Sequence, residues 1–387
     1  MNRKCFTLVF MGIGFPTNRI PTYVKSTAKT LIDSGYSAYL VGGAVRDLLL
    51  EKNTKDFDIA TNALPEEVTS LFPKSITTGS KFGNIIVVAE DEYGERYDVD
   101  VTTFRKDEDY FGGRWPTSVE FSKTIESDLS RRDFTINALA LDLNTVLTDS
   151  DKFIEVNDLD DHHNGIDDLL NKVIRTVGDP YERFKEDGLR AFRACRFASE
   201  LNFTIAEDTK EAIKVSKNIA EMISMERIRD EFLKILMHSK NPSTGIRLLD
   251  ELNLLDFVIP ELIKTKGINQ PEWHDQDVFE HSLKTMDLAE DNIKVAALLH
   301  DIGKAYTKTT DSDGNVHFYG HDVKGAEVSK KILKRLRFSN AEIDRISNLI
   351  RWHMFYYPSA DWRKDNKIET LEESEENNFE SDDHGWG

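Results

Sequence analysis

Two aspartates one residue apart, Asp56 and Asp58, follow a segment that begins with the glycine pair Gly42 and Gly43. In an extended strand, residues i and i+2 point to the same face, so the two carboxylates would lie side by side. Neighbouring carboxylates repel one another unless a cation lies between them, and Mg²⁺ prefers oxygen ligands. A glycine turn lets backbone N–H groups approach an anion closely. A phosphate cradle beside two metal-binding carboxylates is the outline of a phosphoryl-transfer site.

A surface hairpin that carries an Asp pair is the alternative explanation for Asp56 and Asp58. A second acidic face is predicted on the strand over residues 96–104, because Asp98 and Asp100 alternate along it. An antiparallel partner would bring that face beside the first pair, whereas a solvated strand face is the alternative for Asp98. A third carboxylate would accept a proton from an attacking hydroxyl or complete the coordination of a metal.

Arginines recur downstream of these carboxylates. Arg131 and Arg132 either form a helix cap with a salt bridge or, beside a phosphate site, bind triphosphate oxygens with their forked guanidinium groups. Asp187 and Arg190 lie one turn apart on a helix predicted over residues 184–198. They belong to an ordinary solvated basic face, or they present an acceptor and donors to the edge of a base. Between these groups, residues 106–113 are charged and contain glycine, and we expect a mobile loop there.

Most of the histidines fall within residues 274–353. A lone buried histidine is usually structural, but a series of histidines with an adjacent His-Asp pair is a better metal candidate. Imidazole and carboxylate groups suit transition ions as well as Mg²⁺ or Mn²⁺. The candidate ligands are His281, His300, Asp301, His321 and His353.

The composition limits the class of protein. A chain of 387 residues predicts two or three domains, and no apolar run approaches the ~20 residues of a membrane helix. The two cysteines, Cys5 and Cys195, exclude a disulfide framework and fit a reducing cytoplasm. A net charge of −19 argues against indiscriminate nucleic-acid binding, so a polyanion would need a local basic groove. We expect neither a membrane nor an obligate protein partner.

Five motifs, in this order, resemble the class II tRNA nucleotidyltransferases, which are the CCA-adding enzymes and the related bacterial poly(A) polymerases. Residues from about 275 to 360 resemble the metal-dependent HD phosphohydrolase module. The five motifs are Gly42-Gly43-x-Val-Arg46-Asp47, Asp56-x-Asp58, Asp100-Val-Thr-Thr-Phe-Arg105, Arg131-Arg132-Asp133-Phe-Thr-x-Asn137-Ala138, and Glu186-Asp187-x-x-Arg190 with Arg193 and Arg196.

The resemblance implies an α+β fold, in which a mixed-sheet nucleotidyltransferase head precedes an all-helical neck, body and HD domain. We expect an N-terminal extension before the head and an acidic, disordered tail after the HD domain. The expected limits are 1–20 for the extension, 21–148 for the head, 149–265 for the neck and body, 266–364 for the HD domain and 365–387 for the tail.

The resemblance also implies a reaction. C, C and A would be added to tRNA 3′ ends from CTP and ATP without a nucleic-acid template, by two-metal transfer that releases pyrophosphate. Asp56 and Asp58 would hold Mg²⁺, and Asp100 would activate the tRNA 3′-hydroxyl. A second divalent ion, Mn, Ni or Fe, would occupy the HD site. The open alternatives are a poly(A) polymerase, a CC-only or A-only enzyme, and a protein in which the HD phosphohydrolase is the real enzyme.

The nucleotide-binding residues are carried over from the same resemblance. The glycine pair, Arg46 and Arg132 would position the triphosphate. Asp187 and Arg190 would read the Watson–Crick edge of CTP or ATP, and the protein would recognise tRNA by shape rather than sequence. The complete set is Gly42, Gly43, Arg46, Arg132, Asp187, Arg190, Arg193 and Arg196, of which the last two would support the nucleotide pocket.

Overall fold

The computed structural model describes residues 12–91, 93–111, 115–149, 151–269 and 276–354, with the side chains of 107–111, 115–118 and 217 left aside. The predicted acidic tail at 365–387 and Cys5 lie outside these residues. A seven-stranded mixed sheet forms the head, and helices dominate the remainder, as the α+β prediction requires.

The strands lie mainly in the first half of the chain. They are β1 (Gly14–Pro16), β2 (Ala38–Val41), β3 (Asp58–Thr61), β4 (Ser75–Ile76), β5 (Asn84–Glu90), β6 (Arg96–Thr103), β7 (Arg105–Phe111), β8 (Trp115–Phe121), β9 (Ala140–Asp142), β10 (Phe153–Glu155), β11 (Leu159–Asp160), β12 (Val173–Ile174), β13 (Thr204–Ile205), β14 (Thr309–Thr310) and β15 (Val316–His317). The order in the large sheet is β11-β9-β2-β3-β6-β5-β4.

The helices cover the head sheet and then build the rest of the molecule. They are α1 (Thr22–Asp33), α2 (Gly43–Leu49), α3 (Pro65–Leu71), α4 (Ile125–Ser130), α5 (Leu143–Thr148), α6 (Gly165–Leu170), α7 (Pro180–Glu186), α8 (Leu189–Leu201), α9 (Glu207–Val215), α10 (Met225–His238), α11 (Pro242–Glu251), α12 (Leu255–Val258), α13 (Pro260–Ile263), α14 (Val278–Leu288), α15 (Lys294–Leu299), α16 (Lys304–Thr307), α17 (His321–Arg335) and α18 (Asn340–Arg351).

The register of the large sheet brings the acidic strands together. Strand β3 pairs with β6, and Asp58 lies directly opposite Asp100. The pairing is parallel, so the antiparallel arrangement expected from the sequence is wrong. The reason is topological, because β5 is the antiparallel hairpin partner of β6 and the chain from β3 through α3 and β5 returns β6 in the direction of β3.

Residues 106–111, predicted within a mobile loop, instead form part of a hairpin. Strand β7 pairs antiparallel with β8, with Arg105 opposite Phe121 and Lys106 opposite Glu120. A two-stranded ribbon satisfies its backbone groups through its own ladder, so a charged segment can adopt it without an apolar alternation. Residues 112–114 of that prediction lie outside the described part of the chain.

Two further pairings join segments on either side of the predicted domain limits. Strand β1 pairs with β10, although residues 14–16 were expected in the N-terminal extension, and its Phe15 is buried. Strand β11 pairs with β9 at the edge of the large sheet, beyond the expected limit of the head at residue 148. The head sheet therefore continues past the point where the sequence pattern turns helical.

The single helix predicted over residues 184–198 is interrupted at Asp187. Helix α7 ends at Glu186 and α8 begins at Leu189, and Asp187 itself is extended, with φ −148° and ψ 106°. Its side chain accepts a hydrogen bond from the backbone N–H of Leu189 at 3.0 Å. An aspartate side chain that bonds nearby backbone competes with helical hydrogen bonding, which explains the break. Asp187 and Arg190 are therefore not one turn apart on one helix.

Candidate active site and second metal centre

Three carboxylates meet at the centre of the head sheet. Oxygen atoms of Asp56, Asp58 and Asp100 lie within 4.8 Å of one another, close enough to share a metal ion. Asp100 is oriented by Asn84 on the neighbouring strand, whose Nδ2 donates to Asp100 Oδ1 at 2.8 Å. The structure thus brings together the three residues that the sequence predicted as catalytic.

The pKa of Asp58 is shifted by this arrangement. Burial and the neighbouring charges of Asp56 and Asp100 raise the pKa of Asp58 from 3.8 to about 6, although Arg132 opposes the rise. A carboxyl group whose ionised form is penalised by other carboxylates gains most from a bound cation. The donor set consists of oxygen atoms alone, as a hard divalent ion requires. These residues therefore fit a divalent metal of the Mg²⁺ type.

The glycine turn keeps open a gap beside these carboxylates. Gly42 has φ +74°, and a Cβ added there would lie 2.7 Å from Arg132 NH1 and 3.8 Å from Asp58 Oδ2. Any side chain at this position would fill the space between the guanidinium group and the carboxylate. The sequence folds this way because β2 must turn directly into α2, and glycine adopts positive φ values without the steric penalty of a side chain.

Arg132 lies at the junction between the turn and the carboxylates. Its NH2 donates to Asp128 Oδ2 at 2.9 Å, and Arg131 also donates to Asp128. Burial alone would raise the pKa of Asp128, but the two guanidinium groups hold it below its ordinary value. Arg132 Nε is buried and has no hydrogen-bond partner among the described residues. The predicted salt bridge therefore exists, whereas the binding of triphosphate oxygens by these arginines stays a prediction.

Other predicted anion ligands are engaged with protein groups. Arg46 is buried, donates to Asn137 Oδ1 at 2.6 Å and to Asp47 Oδ1 at 2.9 Å, and lies 5.0 Å from the centre of the Phe197 ring. The same Phe197 ring lies 3.9 Å from the guanidinium of Arg196. These contacts fix the positions of the cations before any ligand arrives.

Arg193 of α8 connects the helical region to the head, and Arg196 connects α8 to α10. Arg193 Nε donates to Asp133 Oδ2 at 2.7 Å, and Arg196 Nε donates to Glu231 Oε2 at 2.6 Å. Burial would raise the pKa of Asp133, but Arg193, Asn137 and Arg190 hold it well below its usual range. Asp133 therefore remains ionised in the structure and ties α8 to the head.

Two cavities meet at the carboxylates. One measures about 350 Å³ and is lined by Asp187, Arg190 and Arg227, and the other measures about 380 Å³ and is lined by the glycine turn and Arg46. Both are polar, and one set of residues borders both of them. The shared residues are Asp58, Arg132, Asp133 and Arg193. The predicted phosphate-binding and base-reading residues thus face neighbouring compartments that join at Asp58.

Sequence reasoning missed several residues of this site. Arg227 on α10 and Phe197 on α8 gave no signal, since neither stands at a recognisable spacing from the carboxylates. Asn84 could have been found from strand alternation, because it faces the strand of Asp100. Asp128 was detectable as the acidic residue one helical turn before Arg132.

The five predicted histidine-region ligands also come together. Nε2 atoms of the four histidines lie 3.2–3.7 Å from the carboxylate oxygens of Asp301, which is itself buried. His281 lies on α14, whereas the other three follow or begin helices. Their Nδ1 atoms donate to backbone carbonyls: His300 to Ala297 at 2.7 Å, His321 to Phe318 at 2.9 Å, and His353 to Ile350 at 2.7 Å.

This second group fits a divalent metal. A histidine that donates from Nδ1 to a carbonyl presents the lone pair of Nε2, which is the arrangement of metal-bound imidazole. His321 Nε2 is buried and lacks a hydrogen-bond partner among the described residues, as expected of an atom whose lone pair can bind a metal. The donor set, rich in imidazole, suits transition ions better than the carboxylates of the head do.

Comparison with known families indicates the class of protein to which the chain belongs. The family "Poly A polymerase head domain" matches residues 38–175, "Probable RNA and SrmB- binding site of polymerase A" matches 202–265, and "HD domain" matches 278–378. The first match contains the carboxylate cluster, and the third contains the five ligands of the histidine cluster.

Individual relatives define the family. The chain is 36% identical over 358 residues to a CCA-adding enzyme of Enterococcus faecalis, which covers 92% of this chain and 76% of that protein. It is 47% identical over 207 residues to a CCA-adding enzyme of Lactobacillus helveticus, across 54% of this chain. The chain belongs to the CCA-adding enzyme family.

The share of each relative's length that this chain covers varies. The alignment spans about half of the Lactobacillus helveticus protein, 48% of its length. The solved structure of the Bacillus stearothermophilus CCA-adding enzyme in complex with CTP matches 89% of this chain and 80% of its own, with a TM-score of 0.55 and 28% identity. Within the described residues, none of the helices is both long and apolar enough to cross a bilayer.

Proposed function

We propose that this protein is a nucleotidyltransferase that adds C, C and A to tRNA 3′ ends from CTP and ATP. The observation that carries the proposal is the meeting of Asp56, Asp58 and Asp100 beside two arginine-lined cavities that share Asp58 and Arg132. Family membership supports it, and the related Bacillus stearothermophilus structure contains CTP. No template is needed if protein groups select the base.

The chain's own residues divide the work. Asp56 and Asp58 would hold Mg²⁺, which supplies charge neutralisation for the attacking and leaving oxygens. Asp100, held by Asn84, accepts the proton of the tRNA 3′-hydroxyl. The freed oxygen attacks the α-phosphorus, the bond from that phosphorus to the bridging oxygen breaks, and pyrophosphate leaves. Arg132, next to the Gly42 gap, stabilises the departing charge.

Base selection belongs to the cavity that contains Asp187 and Arg190. The Watson–Crick edges of cytosine and adenine present an amino donor beside a ring-nitrogen acceptor, whereas uracil and guanine present a carbonyl beside an N–H. An aspartate acceptor beside an arginine donor therefore matches both accepted bases. A mismatched base leaves buried groups unpaired, which costs about 1–3 kcal/mol for each group. Arg193 lines this cavity and the neighbouring one, Arg196 lines the neighbouring one, and their acidic partners Asp133 and Glu231 hold both side chains in place.

The histidine cluster supports a second function in the same chain. We propose that His281, His300, Asp301, His321 and His353 hold Mn²⁺, Ni²⁺ or Fe²⁺ and form a phosphohydrolase centre separate from the head. The observation that favours it is the convergence of four imidazole nitrogens on one buried carboxylate. Metal analysis of the purified protein, followed by hydrolysis assays with phosphomonoester and phosphodiester substrates, tests it. Absence of both bound transition metal and hydrolysis would contradict this second function.

The same proposal includes tRNA as the substrate and the cytoplasm as the compartment. tRNA would be recognised by its shape and backbone, in accord with the RNA-binding family match over residues 202–265. Cys195 is a buried free thiol, which suits the reducing cytoplasm.

A nucleotide-addition assay tests the main proposal. tRNA that ends at its discriminator base is incubated with CTP alone, ATP alone, or both, and the products are resolved on a sequencing gel. We expect two additions with CTP alone and three with both nucleotides. Long A-tracts would instead indicate a poly(A) polymerase, an arrest at CC would indicate a CC-only enzyme, and no extension would contradict the proposal.

A further inference from the structure

A further cavity, which we call the α1 cavity, lies on the face of the head sheet opposite the carboxylates. It measures about 800 Å³ and is bordered by the start of α1, by the segment that leads into β3 and by the β5–β6 hairpin. Tyr97 lines it, and because Tyr97 precedes Asp100 by three residues on β6, the two side chains lie on opposite faces of the sheet. Thr54 borders both this cavity and the one that contains the glycine turn. The α1 cavity is therefore separate from the two cavities described above, although it adjoins the segment that carries Asp56 and Asp58.

Aromatic rings form one wall of the α1 cavity. The rings of Tyr23 and Tyr97 are stacked, with centroids 4.3 Å apart and an angle of 3° between their planes. Phe57 meets Tyr23 edge-on, with ring centroids 6.4 Å apart. Tyr23 and Phe57 are buried, whereas Tyr97 is 38% exposed. Tyr23 covers one face of the Tyr97 ring, so a further planar ring can stack on its accessible side, as bases do on aromatic side chains.

Two lysines line the same cavity. Lys25 is half-buried and Lys55 is exposed, and within the described residues neither ammonium group has an ion pair or a hydrogen bond. Burial lowers the pKa of Lys25, although the charge of Asp151 opposes the change. A cation that burial penalises and that lacks a counter-ion gains from a bound anion. Lysine ammonium groups bind phosphate oxygens as point charges.

The acidic residue in the described lining of the cavity is Asp91, and the hairpin turn already uses its carboxylate. Asp91 Oδ1 accepts hydrogen bonds from the backbone N–H groups of Tyr93 and Glu95, each at 2.9 Å. The two lysines outnumber this single acid, so the described lining is net positive in a chain whose net charge is −19. An anion is therefore a better match for this cavity than a cation.

We propose that the α1 cavity binds a nucleoside phosphate, either as a free nucleotide or as one unit of an RNA chain. The base stacks on Tyr97, and the phosphate lies beside Lys25 and Lys55. The side-chain amide of Asn18 and the hydroxyl of Thr54, which also line the cavity, offer hydrogen bonds to the ribose. The volume lies within the range of about 300–1,000 Å³ that is typical of small-molecule sites. This site lies outside the cavities assigned to nucleotide addition, and the proposal does not depend on that reaction.

Calorimetry on the full chain in EDTA tests the proposal. The probes are AMP, adenosine, ribose 5-phosphate and a 5′-phosphorylated RNA tetramer of adenosines, so that ring and phosphate are offered together and apart. Tyr97→Ala removes the stacking ring, whereas Lys25→Gln and Lys55→Gln each remove one cation.

Matched control variants are available for both kinds of substitution. Tyr93→Ala removes a tyrosine that is 83% exposed in the adjoining turn. Lys29→Gln removes a lysine one helical turn after Lys25 on α1, where it pairs with Asp33. Neither control residue lines the α1 cavity.

AMP should bind the unmodified chain at least about 10-fold more tightly than adenosine or ribose 5-phosphate, because neither fragment uses both the ring and the cations. The affinity for AMP should fall by roughly 10-fold in Tyr97→Ala and in each lysine variant, while both controls bind as the unmodified chain does. An RNA tetramer that binds at least about 10-fold more tightly than AMP would identify RNA as the source of the ligand, and a smaller difference would identify the free nucleotide.

An affinity for AMP that is equal in the cavity variants and the controls would overturn the proposal, because any binding would then lie elsewhere in the chain. Absence of AMP and RNA binding by the unmodified chain would overturn it as well. If Tyr97→Ala does not fold, the two lysine variants decide the outcome, since they change only accessible ammonium groups. None of these results depends on whether the chain adds nucleotides to tRNA, so failure of this proposal and failure of the proposed reaction are distinguishable.

Discussion

The two candidate metal-binding groups of this chain differ in how the protein compensates their charge. In the head, three carboxylates face one another, and burial together with the neighbouring acids raises the pKa of Asp58 to about 6. In the histidine region, burial would raise the pKa of Asp301, but the His300 hydrogen bond and Lys304, which donates at 2.7 Å, hold it well below its usual range. The carboxylates of the head repel one another, whereas protein groups already stabilise the ionised form of Asp301.

The difference indicates which kind of ion each group would bind. Oxygen-only ligands that repel one another suit a hard divalent ion such as Mg²⁺. Imidazole ligands fixed by backbone carbonyls suit a transition ion that stays bound. The head would therefore depend on free Mg²⁺, whereas the histidine centre would retain its metal through purification.

The largest expected effect is the loss of one activity without the other. Asp58→Ala should lower nucleotide addition by at least about 10²–10³-fold, because it removes a proposed ligand of the metal that would neutralise the attacking and leaving oxygens. Metal content in the histidine centre should not change. Asp98→Ala is the matched control, since Asp98 is an exposed residue on the same strand as Asp100. Loss of addition in both variants would argue against a specific role for Asp58.

A substitution in the histidine centre tests whether the two centres act independently. Asp301→Ala should abolish retention of a transition metal, since the carboxylate is the one residue that all four imidazoles face. The measurement is metal per protein by mass spectrometry, together with the rate of nucleotide addition. Addition should fall by less than about twofold. An exposed turn residue provides the control, Asp313→Ala, and a large loss of addition in Asp301→Ala would show that the two centres are coupled.

A smaller effect should appear in the pH dependence of addition. Asp58 would bind metal in its ionised form, and its pKa of about 6 means that it becomes protonated as the pH falls through 6. The rate should drop over that window at low Mg²⁺. High Mg²⁺ favours the ionised form and should move the midpoint to lower pH. A rate profile whose midpoint ignores the Mg²⁺ concentration would place the titrating group elsewhere.

The smallest effect concerns stability without metal. The pKa of Asp58 lies above its unfolded value of 3.8, so wild-type stability should fall as the pH rises from about 4 to about 6. At pH 8 in EDTA, Asp58→Asn should raise the Tm by about 2 °C, because the neutral amide removes the repulsion. Asp301→Asn should lower the Tm, because the ionised form of Asp301 is the stabilised one. Scanning fluorimetry that gave the same sign for both variants would contradict the comparison.

Much of the site was predictable because the residues of each motif lie close together in the sequence. The Asp56–Asp58 pair, the glycine turn and the His300–Asp301 pair each lie within a few residues, and the structure gathers them as expected. Long-range features were not accessible in the same way. The parallel register of β3 and β6 depends on how the intervening chain crosses over, and no local pattern encodes that direction.

The base-reading region shows where sequence reasoning fails for a physical reason. Helical spacing placed Asp187 and Arg190 on one helix, but the Asp187 side chain captures the Leu189 N–H and the helix breaks. The partner of Asp187 is then Arg227, 40 residues away on α10. A contact between two helices of this kind depends on packing, and a pattern within either helix cannot reveal it.

The most direct test of the account is the 3′-end sequence of tRNA extended in the presence of all four nucleotides at equal concentration. The account predicts that the products end in CCA, with CC as the intermediate and with U or G rare, and that Asp58→Ala yields none of them. Products with runs of A, random additions, or addition that survives in Asp58→Ala would contradict it.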